Sequence, residues 1–143
     1  SKQHGKKAEY ALCASQWHKT LSYTDAFFKD GMTYDADFKK AFGYAPPYQA
    51  AESSAALLVF KDAFERANDF NTKKVRNALA KTDMQTFYGN IKFAKGGQNV
   101  SKPMVLFQVI CNSDGSKCEN KVVAPTKWAS AKLVHPTPSW SKR

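Results

Sequence analysis

Arginine is nearly missing from a strongly basic chain. Of 22 lysine and arginine residues in 143, only Arg66, Arg76 and Arg143 are arginine, although the formal net charge is +10. Reading of base edges and phosphates favours the planar arginine fork. The lysines are scattered, never more than two in a row, and no aromatic residues alternate with them as a stacking platform would require. The charge therefore reads as a solvated lysine-rich surface, and no nucleic-acid partner is expected. No apolar run approaches the length of a membrane-spanning helix. The opening Ser1-Lys2-Gln3-His4-Gly5-Lys6-Lys7 has no apolar h-region, which leads to the expectation that the chain is cut from a longer gene product. Also missing are G-x-S-x-G, H-E-x-x-H, a P-loop and G-x-G-x-x-G. Cys13 with His18 or His135 is the one available nucleophile and base pair, and an apolar strand around Cys13 would raise its thiol pKa and leave it inert. The expectation is a protein that is not an enzyme and takes no cofactor. C-x-x-C pairs and zinc-spaced His/Cys clusters are absent too, so no metal site is expected.

What is present suits a folded domain or a piece of one. The chain is 43% hydrophobic and 24% charged, enough to build a core. Cys111 and Cys118 flank Asn112-Ser113-Asp114-Gly115-Ser116-Lys117, in which Asp-Gly is a hairpin signal. A disulfide closing this loop and two free thiols at strand ends both fit the spacing. The expectation adopted is the bridge, with Cys13 left free.

Along the chain, residues 8–15 are small and apolar and read as a buried strand. Residues 16–30 are irregular and aromatic, with Trp17, Tyr23, Phe27 and Phe28. Residues 34–42 read as a short helix with Phe38 and Phe42 on one face, stopped by Gly43 and Pro46-Pro47. The clearest element spans 49–68. Ala50, Ser53, Leu57, Phe60, Phe64 and Ala67 recur at steps of three and four, a stripe expected to face the core. Lys61 with Glu65 and Asp62 with Arg66 pair on its outer side. A second helix spans 72–81, capped by Asn71 or Thr72, with Val75, Ala78 and Leu79 inward. Residues 87–93 read as a strand and Gly96-Gly97 as a turn. Residues 104–111 form an apolar strand whose hairpin partner is 121–124. The tail is extended and proline-punctuated, and Trp128 and Trp140 are expected to pack it down. Helices and strands alternate, which gives an α/β class.

Several ordered blocks carry a resemblance. Phe42-Gly43-Tyr44-Ala45-Pro46-Pro47-Tyr48 looks like F-G-x-x-P-x-Y at the start of a long helix. Ala50-Ala51 through Ala55-Ala56-Leu57 continues it, with Ser54 where Tyr is common. Val75-Arg76-Asn77-Ala78-Leu79 matches V-R-x-A-L. Phe87-Tyr88-Gly89-Asn90-Ile91-Lys92-Phe93 matches Y-G-x-I-x-F, with Asn90 in place of a common Pro. Gly97-Gln98-Asn99-Val100 and Lys102-Pro103-Met104 are similar to G-Q-N-x-x-K-P. In this order and spacing the chain resembles the branched-chain amino acid receptor family of type I periplasmic binding proteins. The resemblance implies two Rossmann-like lobes joined by three crossovers, with a small-molecule, amino acid-like ligand held between them. The chain would be the carboxy-terminal part. Residues 1–30 would end a second-lobe segment and make a hinge crossing, 31–100 would complete the first lobe, and 101–143 would return to the second lobe with a terminal β-hairpin and extended tail.

Site candidates follow from the same resemblance. Tyr48 matches the aromatic contact at the cleft mouth of the long helix, and equally suits packing on the preceding loop. Gln49 could donate a hydrogen bond or be an exposed helix-start amide. Trp17 and His18 fall at the crossing; a tryptophan is as readily a core residue, and His18 could cap a strand end. Glu52 is most simply a charge near the positive end of a helix dipole. The expected function is an extracytoplasmic receptor delivering an amino acid or similar carboxylate to the membrane permease of an ABC importer. A basic, self-associating or anionic-surface-binding module is the alternative. Open strand edges lead to the expectation of an oligomer.

Overall fold

Helix boundaries in the computed structural model, which describes residues 5–142, follow capping chemistry. The charged opening at 1–4 and Arg143 lie outside the described residues. The Thr33 N–H donates to Asp30 Oδ1 at 2.7 Å, satisfying an orphan amide, and α1 runs Gly31–Phe42. Gly43 ends it with φ 78°, donating its N–H to the Lys39 carbonyl, a left-handed closure that glycine adopts without strain. Helix α2 is Tyr48–Ala67 and α3 is Thr72–Leu79. Asn71 caps α3, accepting from the amides of Lys73 and Lys74, as its position predicts.

The chain divides into two compact units, one of Ser1–Gln16 with Met104–Arg143 and one of Trp17–Pro103. In the first, β1 (Leu12–Ser15), β6 (Val105–Cys111) and β7 (Cys118–Ala124) form an antiparallel sheet in the order β1-β6-β7. The expectation of a buried strand over 8–15 fails. Strand β1 has only four residues, and Leu12, Cys13 and Ala14 are exposed, because an edge strand has one paired neighbour and here little covers it. Gln108 is fully buried and fully bonded. Its amide nitrogen donates to the Tyr10 carbonyl at 3.2 Å and to the Val134 carbonyl at 3.1 Å, and its oxygen accepts from the Val134 N–H at 2.9 Å. This holds the tail to the sheet. Trp128 is half-buried, whereas Trp140 is 67% exposed. Cys111 and Cys118 are directly opposite in the β6–β7 register and are bonded, with Cα atoms 4.0 Å apart. Cys13 is free.

In the second unit, α1, α2 and α3 accompany two small hairpins: β2 (Thr24–Asp25) with β3 (Lys29–Asp30), and β4 (Asp83–Thr86) with β5 (Gly89–Lys92). Phe87 is fully buried. Its ring stacks on Tyr34 at 4.3 Å and meets Phe28 at 5.0 Å and Trp17 at 6.1 Å between centroids, geometries in which aromatic pairs add to area burial. Asp25 organises the chain around this cluster. Its Oδ1 accepts from the amides of Phe27 and Phe28, and its Oδ2 from the amide of Phe87 at 2.6 Å. The Tyr34 hydroxyl and Ser54 Oγ, 2.9 Å apart, join α1 to α2. Arg66 joins α2 to α3 and to the segment just after it, bonding Asp62, the Ala78 carbonyl and Thr82.

The face of α2 is the main correction. The buried positions are Ala51, Ala55, Val59 and Ala63. The stripe expected to face the core points outward, with Leu57 69%, Phe60 46% and Phe64 37% exposed. Alanines let the backbone of α2 lie close to its neighbours, so packing selects the small-residue face over the more hydrophobic one. On α3, Val75 and Ala78 are buried and Leu79 half-buried.

The two faces make opposite predictions. Val59→Ala leaves a cavity and should cost about 2–3 kcal/mol, whereas Leu57→Ala should stay within about 0.5 kcal/mol. Phe64→Ala should fall well short of the roughly 3–5 kcal/mol of a buried phenylalanine. Urea unfolding of the three variants checks the ranking. For the disulfide, the short closed loop predicts that replacing both Cys111 and Cys118 by serine costs about 2–3 kcal/mol, and thiol titration of the denatured oxidised chain should find Cys13 alone.

Candidate functional site

The amino end of α2 gathers the groups with the most distinctive chemistry. Pro47 precedes the helix and provides no side-chain cap, so the positive end of the helix dipole is not answered by a capping oxygen. Tyr48, the first helical residue, is 37% exposed, and Gln49 beside it is exposed. One turn on, Glu52 projects a carboxylate whose field reaches Tyr88 and Lys102.

Lys102 is the unusual member. Its ammonium lies 3.8 Å from the centroid of the Tyr88 ring, a cation–π contact. Its stem crosses Gly89, where an added Cβ would come within 2.5 Å of Lys102 Cδ and where φ is +147°, so this position needs glycine on both counts. Burial pushes the Lys102 pKa down to about 8, against the opposing pull of Glu52. Burial likewise raises the Tyr88 phenol, and the nearby Glu52 and Tyr48 add to the rise. Tyr88 is therefore a neutral hydroxyl at physiological pH, and Lys102 an ammonium that releases its proton more readily than an exposed lysine.

Of the four residues singled out from the sequence, Tyr48 and Gln49 lie together at this helix end. Trp17 is buried, its ring edge-on to Tyr34 at 5.9 Å and to Phe87 at 6.1 Å, which leaves little of its surface to meet a ligand within this unit. His18 is half-buried in a turn, with Nδ1 2.8 Å from Thr20 Oγ1. Glu52, Tyr88 and Lys102 were not grouped by sequence reading. Tyr88-Gly89 and Lys102-Pro103 each appear in a separate motif block, and only the fold brings them into contact. Among the described residues no group of three His, Cys, Asp or Glu could hold a metal ion. No described helix is long and apolar enough to cross a membrane.

Comparison with known proteins agrees with this architecture. The family model for periplasmic binding protein matches residues 2–116. A leucine binding protein from Thermotoga maritima superposes with a TM-score of 0.62 at 22% identity, covering 84% of this chain and 32% of that one. A periplasmic binding protein from Burkholderia mallei gives 0.68 at 16% identity, covering 88% and 35%. A leucine-, isoleucine-, valine-, threonine- and alanine-binding protein from Brucella ovis, in its closed conformation, gives 0.63 at 18% identity, covering 88% and 34%. The chain spans about a third of the length of these structures. It belongs to the periplasmic binding protein family.

The lowered pKa of Lys102 makes a pH prediction. Between about 8 and the ordinary lysine value of 10.5, the unfolded chain binds more protons at this site than the folded one, so stability contributed here rises with pH. The raised Tyr88 value acts in the opposite direction above 10.0. Urea midpoints of the native chain should therefore rise relative to those of Lys102→Met between pH 8 and 10, and parallel profiles would show that Lys102 is not desolvated.

Proposed function

We propose that this chain carries part of the ligand-facing surface of an extracytoplasmic receptor that captures an amino acid, or a similar small carboxylate, for the permease of an ABC importer. The observation that carries this reading is the amino end of α2. An uncapped helix start favours a carboxylate, the half-exposed Tyr48 ring offers an apolar surface to a side chain, and Gln49 adds an amide. Family membership supports the receptor class, and two structures of similar fold are of proteins named for binding leucine. The mechanism is non-catalytic. A ligand bridging two lobes shifts a hinge equilibrium toward the closed state by its greater affinity for that state. In this reading the chain supplies one wall, and the groups that complete the grip on the ligand come from the other two thirds of a receptor of the relatives' length.

The corresponding experiment is an amide-resolved NMR titration of the chain with L-leucine. The expected result is weak, millimolar-range binding, with shifts centred on Tyr48 and Gln49 that Tyr48→Ala removes. Shifts that avoid the amino end of α2, or survive Tyr48→Ala unchanged, would overturn the assignment.

A further inference from the structure

A concavity within the Trp17–Pro103 unit runs along α2 from Glu52, and Tyr88 also lines it. It measures about 570 Å³, within the size range of small-molecule sites. Its floor is apolar: Val59 and Phe60 of α2, Leu79 of α3 and Ile91 of β5. Eight positions separate Glu52 from Phe60, both of which line it, so at the helical rise per residue the groove is about 12 Å long.

The charges at its rim are unevenly answered. Glu52 stands where its field acts on Lys102, so that end carries both signs. Arg76, on α3, and Lys95, in the loop after β5, also line the groove. Among the described residues neither side chain makes a hydrogen bond or an ion pair. Arg66, the other described arginine, is fully engaged: it bonds Asp62, the Ala78 carbonyl and Thr82. Those bonds set α3 against the last turns of α2, which puts Arg76 toward the Phe60 end of the groove, away from Glu52. The result is an elongated apolar trough whose rim carries an unpaired guanidinium and an unpaired ammonium. A guanidinium beside a poorly hydrated wall favours a carboxylate, which it meets with two parallel hydrogen bonds.

We propose that this groove binds an amphiphilic carboxylate, its hydrocarbon tail along Val59 and Phe60 and its head at Arg76 and Lys95. Tyr48 and Gln49 are not among the residues that line the groove, although Glu52 and Tyr88 are, and the proposal does not depend on the receptor reading.

Decanoate, below its micellar concentration, is the probe, titrated calorimetrically into the intact chain. The expected result is saturable binding at one site, weakened at least tenfold in the double variant Arg76→Gln, Lys95→Gln, and abolished by Ala56→Trp, which fills the groove from an exposed position. Decyltrimethylammonium, with the same tail and opposite charge, should bind at least tenfold more weakly. Leu57→Ala, on the outer stripe of α2, should leave decanoate binding unchanged. Arg76 and Lys95 are exposed, so the double variant should keep the circular dichroism spectrum and melting temperature of the parent and remains informative if Ala56→Trp fails to fold. Non-saturable uptake, equal affinity for the cationic amphiphile, indifference to the double variant or loss of binding in Leu57→Ala would each overturn the proposal.

Discussion

The Trp17–Pro103 unit depends on one carboxylate. Asp25 accepts hydrogen bonds from three backbone amides, those of Phe27, Phe28 and Phe87. Each bond to an ionised acceptor is stronger than its neutral counterpart. More important is what they join. Phe27 and Phe28 lie just after β2, and Phe87 lies in the turn between β4 and β5, 62 positions along the chain. With these amides fixed, the Phe28 and Phe87 rings meet at 5.0 Å and Tyr34 stacks on Phe87. The aromatic core is thus positioned by a polar group at its margin, and the hairpin that presents Tyr88 to Lys102 is held by the same contact.

Much of this organisation is legible in sequence. The caps at Asn71 and Gly43, the long helix and the hairpin joining Cys111 to Cys118 all follow from local chemistry. Two kinds of information were not local. Strand β4, Asp-Met-Gln-Thr, is short and polar and lacks the β-branched alternation of a strand; it forms because β5 pairs with it across a turn of two buried aromatics. The outward stripe of α2 follows from a competition that periodicity does not decide. Both faces of the helix are apolar, one alanine-rich and one aromatic, and hydrophobicity favours the second. Close approach to neighbouring elements favours the first, and that requirement is visible only when the neighbours are in place.

The candidate site shows a similar split. Tyr48 is singled out by its match to the family's aromatic position at the start of the long helix, and Gln49 by standing beside it. Lys102 and Tyr88 were visible only as pieces of motif, fourteen positions apart, with no stated reason to occur together. The structure supplies the reason: the lysine stem crosses Gly89 and its ammonium rests on the ring. A motif residue with no evident local role is, in this case, half of a tertiary contact.

The side chain of Gln108 imitates a peptide group. It offers one oxygen and one nitrogen to Val134, and Val134 answers with its own N–H and carbonyl, the reciprocal exchange made by two residues of paired antiparallel strands. The tail is in this sense an additional strand of a single residue, whose partner is a side chain reaching out of the sheet. That makes the arrangement hierarchical. The glutamine is set by the strand pairing of β6, and the tail is held at this point through that one side chain.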